Sequence, residues 1–186
     1  MIFLDVAPLL DADPRVVQCR LLLITHAHQT HRPTGDLTFL KLSYYDFLLR
    51  SPRALEQVLE QERGGRNLSR LDFEDFERKS IESRLLPLRF EPWNNEYRLV
   101  MSTLTAMGLV RIEMSDRSEH AWRVQLSDIG TSLAQQLLAA DVFVPIWKRA
   151  EIITKTFDVT LRTLSTYISR SVPETVTLLQ RGSRTE

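Results

Sequence analysis

The 186-residue chain has one cysteine, no net charge and no long apolar run. Cys19 has no second cysteine to bond, and a lone thiol is typical of a protein of the reducing cytoplasm. Lys and Arg number 24, as do Asp and Glu, so no overall basic field attracts nucleic acid or an anionic membrane. No stretch approaches the roughly 18 apolar residues that a membrane helix needs, and Asp5 follows the apolar start too early for a signal peptide. We therefore expect a cytoplasmic protein.

Sequence motifs for catalysis and cofactor binding are also missing. Neither glycine-rich phosphate loop, GxxxxGK[ST] or GxGxxG, is present, and the GxSxG motif is absent. The acidic residues between 72 and 77 are interleaved with basic ones, which is typical of a solvated helix with ion pairs. His26 and His28 would point about 200° apart on a helix, and His28 with His31 would supply only two ligands. We predict neither an enzyme nor a bound cofactor or metal ion.

Residues 87–140 predict a helix, a β-hairpin and a second helix, which is the element order of a winged helix. The first helix ends at Gly108, where glycine adopts a left-handed backbone without strain. Alternating polarity then predicts strands at 110–114 and 122–126, and Ser127 is a suitable cap for the second helix. The predicted buried faces are Tyr97, Val100, Met101, Leu104 and Met107 in the first helix, and Ile129, Leu133, Leu137 and Leu138 in the second.

The predicted winged helix carries no excess charge. Between residues 94 and 125 there are four basic and four acidic side chains. A winged helix that binds DNA unaided needs a basic surface, because phosphate neutralisation supplies most of the sequence-independent affinity. The neutral unit therefore favours a winged helix that binds protein.

Capping signals predict helices on the N-terminal side of this unit. In each signal, a side chain that can accept a backbone hydrogen bond precedes a helical pattern of apolar residues. In two of them, at Asp13 and Ser51, proline follows at the first helical position. We expect caps at Asp13, Asp36 and Ser51, helix ends near His31 and at Gly64, and a fourth helix over 73–85.

The C-terminal part predicts one long helix from Pro145 to about Arg170. Its apolar stripe either packs on the chain's own core or lies in the groove of a partner. Trp93 leaves the same choice open, since it is either a core anchor or an exposed contact. The candidates for partner contact are Trp93, Tyr97, Trp147, Phe157, Leu161 and Leu164.

Four segments of the sequence carry a family resemblance. They are LKLSYYDFLLRSPRALE at 40–56, RFEPWNNEY at 89–97, MGLV at 107–110 and LSDIG at 126–130. Together they resemble the middle components of prokaryotic ABC-type three-component systems, which include the corresponding small subunit of Lamassu anti-phage systems. The resemblance covers roughly residues 15–140. Glu91 stands where the family tends to have glycine, and Asn94 where it tends to have aspartate.

The resemblance implies a non-catalytic subunit that joins an SMC-like ABC ATPase to an effector, often a nuclease, with DNA contacted only through the complex. We expect an α+β fold, mostly α. Its parts would be an N-terminal helical region (1–86), a winged helix (87–144), a C-terminal helix (145–172) and a tail (173–186). The alternative function is a MarR-like winged-helix transcription regulator that dimerises through its terminal helices.

Overall fold

The computed structural model describes residues 13–33, 35–65, 67–71, 73, 95–114 and 122–172. This part of the chain is mostly helical, with one two-stranded antiparallel sheet, so the expected α+β, mostly α class is confirmed. The elements are α1 Pro14–His31, α2 Phe39–Arg50, α3 Pro52–Arg63, α4 Asn95–Ala106, β1 Val110–Met114, β2 Trp122–Leu126, α5 Asp128–Leu138, α6 Val144–Thr156 and α7 Leu161–Ser171, with short 3-10 turns at Leu68–Arg70 and Asp141–Phe143.

Two of the three predicted N-terminal caps are confirmed and one is wrong. Asp13 accepts a hydrogen bond from the backbone N–H of Arg15 at the start of α1, and Ser51 caps α3. Asp36 does not cap α2; that helix begins three residues later, with Thr38 as its cap. The reason is tertiary, because the segment before the helix is held against β2. There the backbone N–H of Val124 donates to the carbonyl of Leu37 at 2.8 Å.

The hairpin and its flanking turns form as the sequence predicts. Gly108 has φ +69°, the left-handed backbone that ends α4, and β1 pairs with β2 without a bulge. Ser127 caps α5 by accepting from the N–H of Gly130 at 3.0 Å. A Cβ atom at Gly130 would lie only 2.0 Å from the carbonyl oxygen of Leu109. Glycine at this position lets the first turn of α5 pack directly on the residue that precedes β1.

The predicted buried faces of α4 and α5 are partly wrong. In α4 four of the five predicted residues are buried, but Met107 is 57% exposed. In α5 Ile129 is 65% exposed, and the residues that face the core are Gly130 and Ala134. Leu133, Leu137 and Leu138 are half-buried. The close approach at Gly130 fixes the rotation of α5, and Ile129 consequently points to solvent.

The predicted long C-terminal helix is wrong, because the chain forms two helices, α6 and α7. The hydroxyl of Tyr45 donates a hydrogen bond to the carbonyl of Phe157 at 2.8 Å. In a continuous helix that carbonyl would accept from a backbone N–H one turn later. Thr160 then starts α7 by accepting from the N–H of Thr163.

One apolar core joins all these elements. It contains buried side chains from α1 to α3, from α4, β1, β2 and α5, and from α6 and α7. Helix α1 packs mainly against α6, and also contacts α2, α4, α5 and β2. The predicted domain boundaries remain predictions; the one at 86/87, the tail at 173–186 and the helix at 73–85 lie almost wholly outside the described residues.

No single helix in the described ranges is both long and apolar enough to span a membrane. The stretches Asp128–Leu138 and Asp141–Thr156 reach that length and composition only together, across a bend of 100°.

Candidate functional site

A buried polar cluster connects α1, α2 and α4. Asp46 on α2 is completely buried, and the Nε of Arg20 on α1 donates to one of its carboxylate oxygens. The other oxygen accepts from Nη2 of Arg20 at 3.3 Å and from the hydroxyl of Tyr97 on α4. A buried carboxylate is tolerated only when it is paired and hydrogen-bonded, and these contacts meet that requirement.

The cluster is structural in character. Burial, followed by the negative charge of Asp46, raises the pKa of Tyr97 well above its ordinary value of 10. Tyr97 therefore stays protonated and donates its hydrogen bond at all physiological pH values. Both carboxylate oxygens of Asp46 are engaged, and the open groove described below is lined by other residues. We therefore assign Tyr97, which the sequence suggested as a partner contact, to the interior.

The three histidines of α1 contact three different groups. His28 is buried beside the ring of Tyr45, with ring centres 6.4 Å apart. His26 lies 5.4 Å from the ring of Trp147, and Nε2 of His31 is 2.9 Å from a carboxylate oxygen of Glu151. Within the described ranges, no three His, Cys, Asp or Glu side chains come together as metal ligands would.

His28 is held neutral by its surroundings. Burial, and secondly the positive charge of Lys41, lower its pKa from 6.5 to about 4. Burial also raises the pKa of the Tyr45 hydroxyl, and the negative charge of Asp158 is the second cause. The ammonium group of Lys41 lies 5.6 Å from the centre of the Tyr45 ring. Because the Tyr45 hydroxyl also donates to the carbonyl of Phe157, this buried region contacts the junction of α6 and α7.

The other predicted partner contacts lie mostly inside the protein. Phe157 and Leu164 are completely buried, so the apolar stripe packs on the chain's own core at these positions. Trp147 and Leu161 are half-buried against the same core. Trp93 lies outside the described residues.

The exposed apolar side chains concentrate on the helix–hairpin–helix unit, α4 to α5. Among the described residues six large apolar side chains are exposed, and five of them belong to this unit. They are Leu99, Met107, Met114, Trp122 and Ile129; the sixth, Val142, follows α5. We call these five residues the apolar surface. The predicted burial of Met107 and Ile129 is wrong, because helical spacing alone does not fix which way a helix is rotated.

An open groove of about 560 Å³ runs through the same unit. It is lined by the end of α4, by residues 110–113 of β1 and by the first turn of α5, including Ile129. Two of the described charges on the hairpin are paired. Arg123 lies 2.9 Å from a carboxylate oxygen of Glu113 and 3.7 Å from one of Asp36. The described part of the unit therefore combines five exposed apolar side chains with few unpaired charges.

No family model and no curated protein matches the sequence, and no solved structure matches this one.

Proposed function

We propose that this chain is a non-catalytic accessory subunit of an SMC-like ABC ATPase complex in anti-phage defence, of the Lamassu kind. In the cytoplasm it would link the ATPase to an effector nuclease through protein–protein contacts, and it would meet DNA only through the complex. The observation that carries the proposal is the apolar surface on the helix–hairpin–helix unit. Exposed apolar side chains mark sites of protein contact when they form a contiguous patch, and Met114 and Trp122 are neighbours across the two strands.

The architecture supports a winged helix as the docking module. Helix α4, the β1–β2 hairpin and α5 follow in winged-helix order. Thr38 forms an isolated bridge to Arg123 of β2, so the segment between α1 and α2 lies along the other edge of β2. A short strand of this kind, placed between the first two helices, is consistent with the N-terminal helices belonging to the same module.

The exposed residues of α4 favour protein over DNA as the ligand. In a DNA-binding winged helix this helix enters the major groove, with side chains that contact bases and phosphates. Among residues 97–106, the part of α4 whose side chains are described, the exposed ones are Arg98, Leu99, Ser102, Thr105 and Ala106, with one cation among them. This surface offers little for phosphate neutralisation, which weighs against the alternative of a MarR-like regulator.

Co-expression with an SMC-like ATPase encoded beside it tests the proposal. We expect the two chains to elute together in size-exclusion chromatography. Leu99→Ser and Ile129→Ser should each reduce the co-eluting fraction, because they remove exposed apolar side chains from the apolar surface. Val142→Ser is the matched control, since it changes an equally exposed apolar residue outside that surface.

Two outcomes would contradict the proposal. The first is elution of the chain apart from every such ATPase. The second is tight, specific and salt-dependent binding of the isolated protein to its own upstream DNA in a gel shift, which would favour the transcription regulator.

A further inference from the structure

The outer edge of β1 is open in the described part of the chain. β1 pairs only with β2, through five consecutive residue pairs without a bulge, and β2 also bridges to Thr38 on its far side. Residues 110–113 line the open groove, so solvent reaches this strand. An edge strand without proline or a bulge is able to pair with a further strand.

The backbone of β1 presents hydrogen-bonding groups at this edge. Because the N–H of Val124 donates to Leu37, it points away from β1. Val124 lies opposite Ile112, so the two form a pair without mutual hydrogen bonds. The N–H of Ser127 donates to the carbonyl of Leu109, so these two residues form a hydrogen-bonded pair. Hydrogen-bonded and non-hydrogen-bonded pairs alternate along antiparallel strands, and this position, three residues before Ile112, is expected to be hydrogen-bonded. It follows that the N–H and C=O of Ile112, and those of Val110 and Met114, point outwards from the hairpin.

The strand sequence is complementary to itself in the antiparallel direction. When two copies of Val110–Met114 are paired about Ile112, each Arg111 lies opposite the Glu113 of the other copy. The outward-pointing groups of Val110, Ile112 and Met114 then meet their counterparts, with Val110 opposite Met114. Arg111 and Glu113 fall in the pairs without mutual hydrogen bonds, whose Cα atoms are closer, about 4.5 Å apart.

Charge complementarity also favours this pairing. Arg111 has no ion pair within the part of the chain that the structure describes. From the segment before α2, across β2, to β1, the charges alternate in sign: Asp36 pairs with Arg123, and Arg123 pairs with Glu113. An Arg111 from a second copy would continue the alternation beyond Glu113. On the opposite face, exposed Met114 would gain Val110 of the second copy as a neighbour.

We propose that β1 is a homodimer edge: two copies of the chain pair their β1 strands antiparallel about Ile112 and form one continuous sheet. Such an interface is isologous, as the two-fold symmetry of most homodimers requires. The inference concerns the number of copies, and Met114 is the one residue of the apolar surface that lies in the paired strands.

Sedimentation equilibrium of the purified full-length protein tests the dimer. We expect a mass approaching twice the 21.6 kDa of the chain in the micromolar range. Arg111→Glu should raise the dimer dissociation constant by about tenfold, because it replaces two attractive cross-strand pairs by repulsive ones. Arg53→Glu is the matched control, since it makes the same charge change at an exposed residue of α3.

Mixing variants identifies the edge. Glu113→Arg alone should also weaken the dimer, whereas an equimolar mixture of Arg111→Glu and Glu113→Arg should form a heterodimer more stable than either homodimer. The double variant Arg111→Glu/Glu113→Arg should dimerise again, because it exchanges the two charges. Hydrogen exchange of the Ile112 amide should slow as the wild-type concentration rises.

Three results would overturn the inference. They are a wild-type protein that stays monomeric at its highest soluble concentration, a dimer that Arg111→Glu leaves unchanged, and a mixture of the two single variants that shows no gain. Protection of the Ile112 amide only after addition of another protein would assign this edge to a strand of that partner instead of a second copy.

Discussion

The hydroxyl of Tyr97 donates a hydrogen bond to the buried carboxylate of Asp46, across 51 residues of sequence. This contact ties α4, the first helix of the helix–hairpin–helix unit, to α2 in the N-terminal part of the chain. A second carboxylate oxygen of Asp46 binds Arg20 of α1. The position of the unit on the core therefore depends on three polar side chains from three helices.

Tyr97→Phe removes this hydrogen bond without changing the shape of the side chain. We expect the free energy of unfolding to fall by about 2 kcal/mol, because hydrogen bonds to charged groups contribute about 1.5–3 kcal/mol. Urea denaturation measures the change. Tyr44→Phe is the control; its hydroxyl bonds the neutral Ser165 at 3.3 Å, so the loss there should stay below about 1 kcal/mol. Equal losses in the two variants would contradict the role of Asp46.

Asp46→Leu removes the carboxylate that balances the buried charge of Arg20. We expect a loss of about 3 kcal/mol or more, as for other buried ion pairs that lose one partner. The double variant Arg20→Met/Asp46→Leu removes both charges and should unfold at a higher urea concentration than Asp46→Leu alone. If the double variant were the less stable of the two, the charge balance would not be the stabilising feature.

Gly130→Ala places a methyl group against the backbone of Leu109, at 2.0 Å from the carbonyl oxygen. The strand and the helix must then separate, and we expect a loss of about 3 kcal/mol in thermal unfolding. Gly108→Ala meets no atom within 4 Å, and only its left-handed backbone is strained. Its loss should be about 1 kcal/mol. A smaller loss at Gly130 than at Gly108 would contradict the close packing of α5.

The burial of neutral His28 predicts a dependence of stability on pH. Its pKa is about 4 in the folded protein and 6.5 when unperturbed. Between these values the unfolded chain binds a proton that the folded protein does not. Stability should therefore fall as the pH decreases from 6.5 to 4, by roughly 1.4 kcal/mol per pH unit at most from this group.

Urea denaturation of the wild type and of His28→Gln across this range measures the effect. His28→Gln loses packing at every pH. The informative quantity is therefore how steeply the free energy of unfolding changes with pH in each of the two proteins. We expect a shallower decline for His28→Gln between pH 6.5 and pH 4. Parallel curves for the two proteins would show that His28 does not titrate on unfolding.

Part of the candidate site on the helix–hairpin–helix unit is predictable from the sequence. The neutral charge of residues 94–125 was visible at once, and it led to the prediction of a protein-binding unit, which stays a prediction. The predicted contacts were large aromatic side chains and two leucines, and three of them, Tyr97, Phe157 and Leu164, are buried. Asp46 and Arg20 were missed, because two opposite charges 26 residues apart carry no local signal of a pair. A lone Asp in the apolar run of α2 was the only available sign.

By itself the sequence determined the features that depend on a few neighbouring residues: the caps at Asp13, Ser51 and Ser127, the end of α4 at Gly108 and the two strands. The caps and the helix end form because each hydrogen bond or backbone angle is satisfied within one turn of the chain, and the two strands pair with each other across a single hairpin. Only the tertiary structure decided where α2 begins, how α5 is rotated and where α6 ends. Those outcomes depend on β2 holding Leu37, on Leu109 approaching Gly130 and on Tyr45 binding the carbonyl of Phe157. Their partners are distant in sequence, and they meet only when the core assembles.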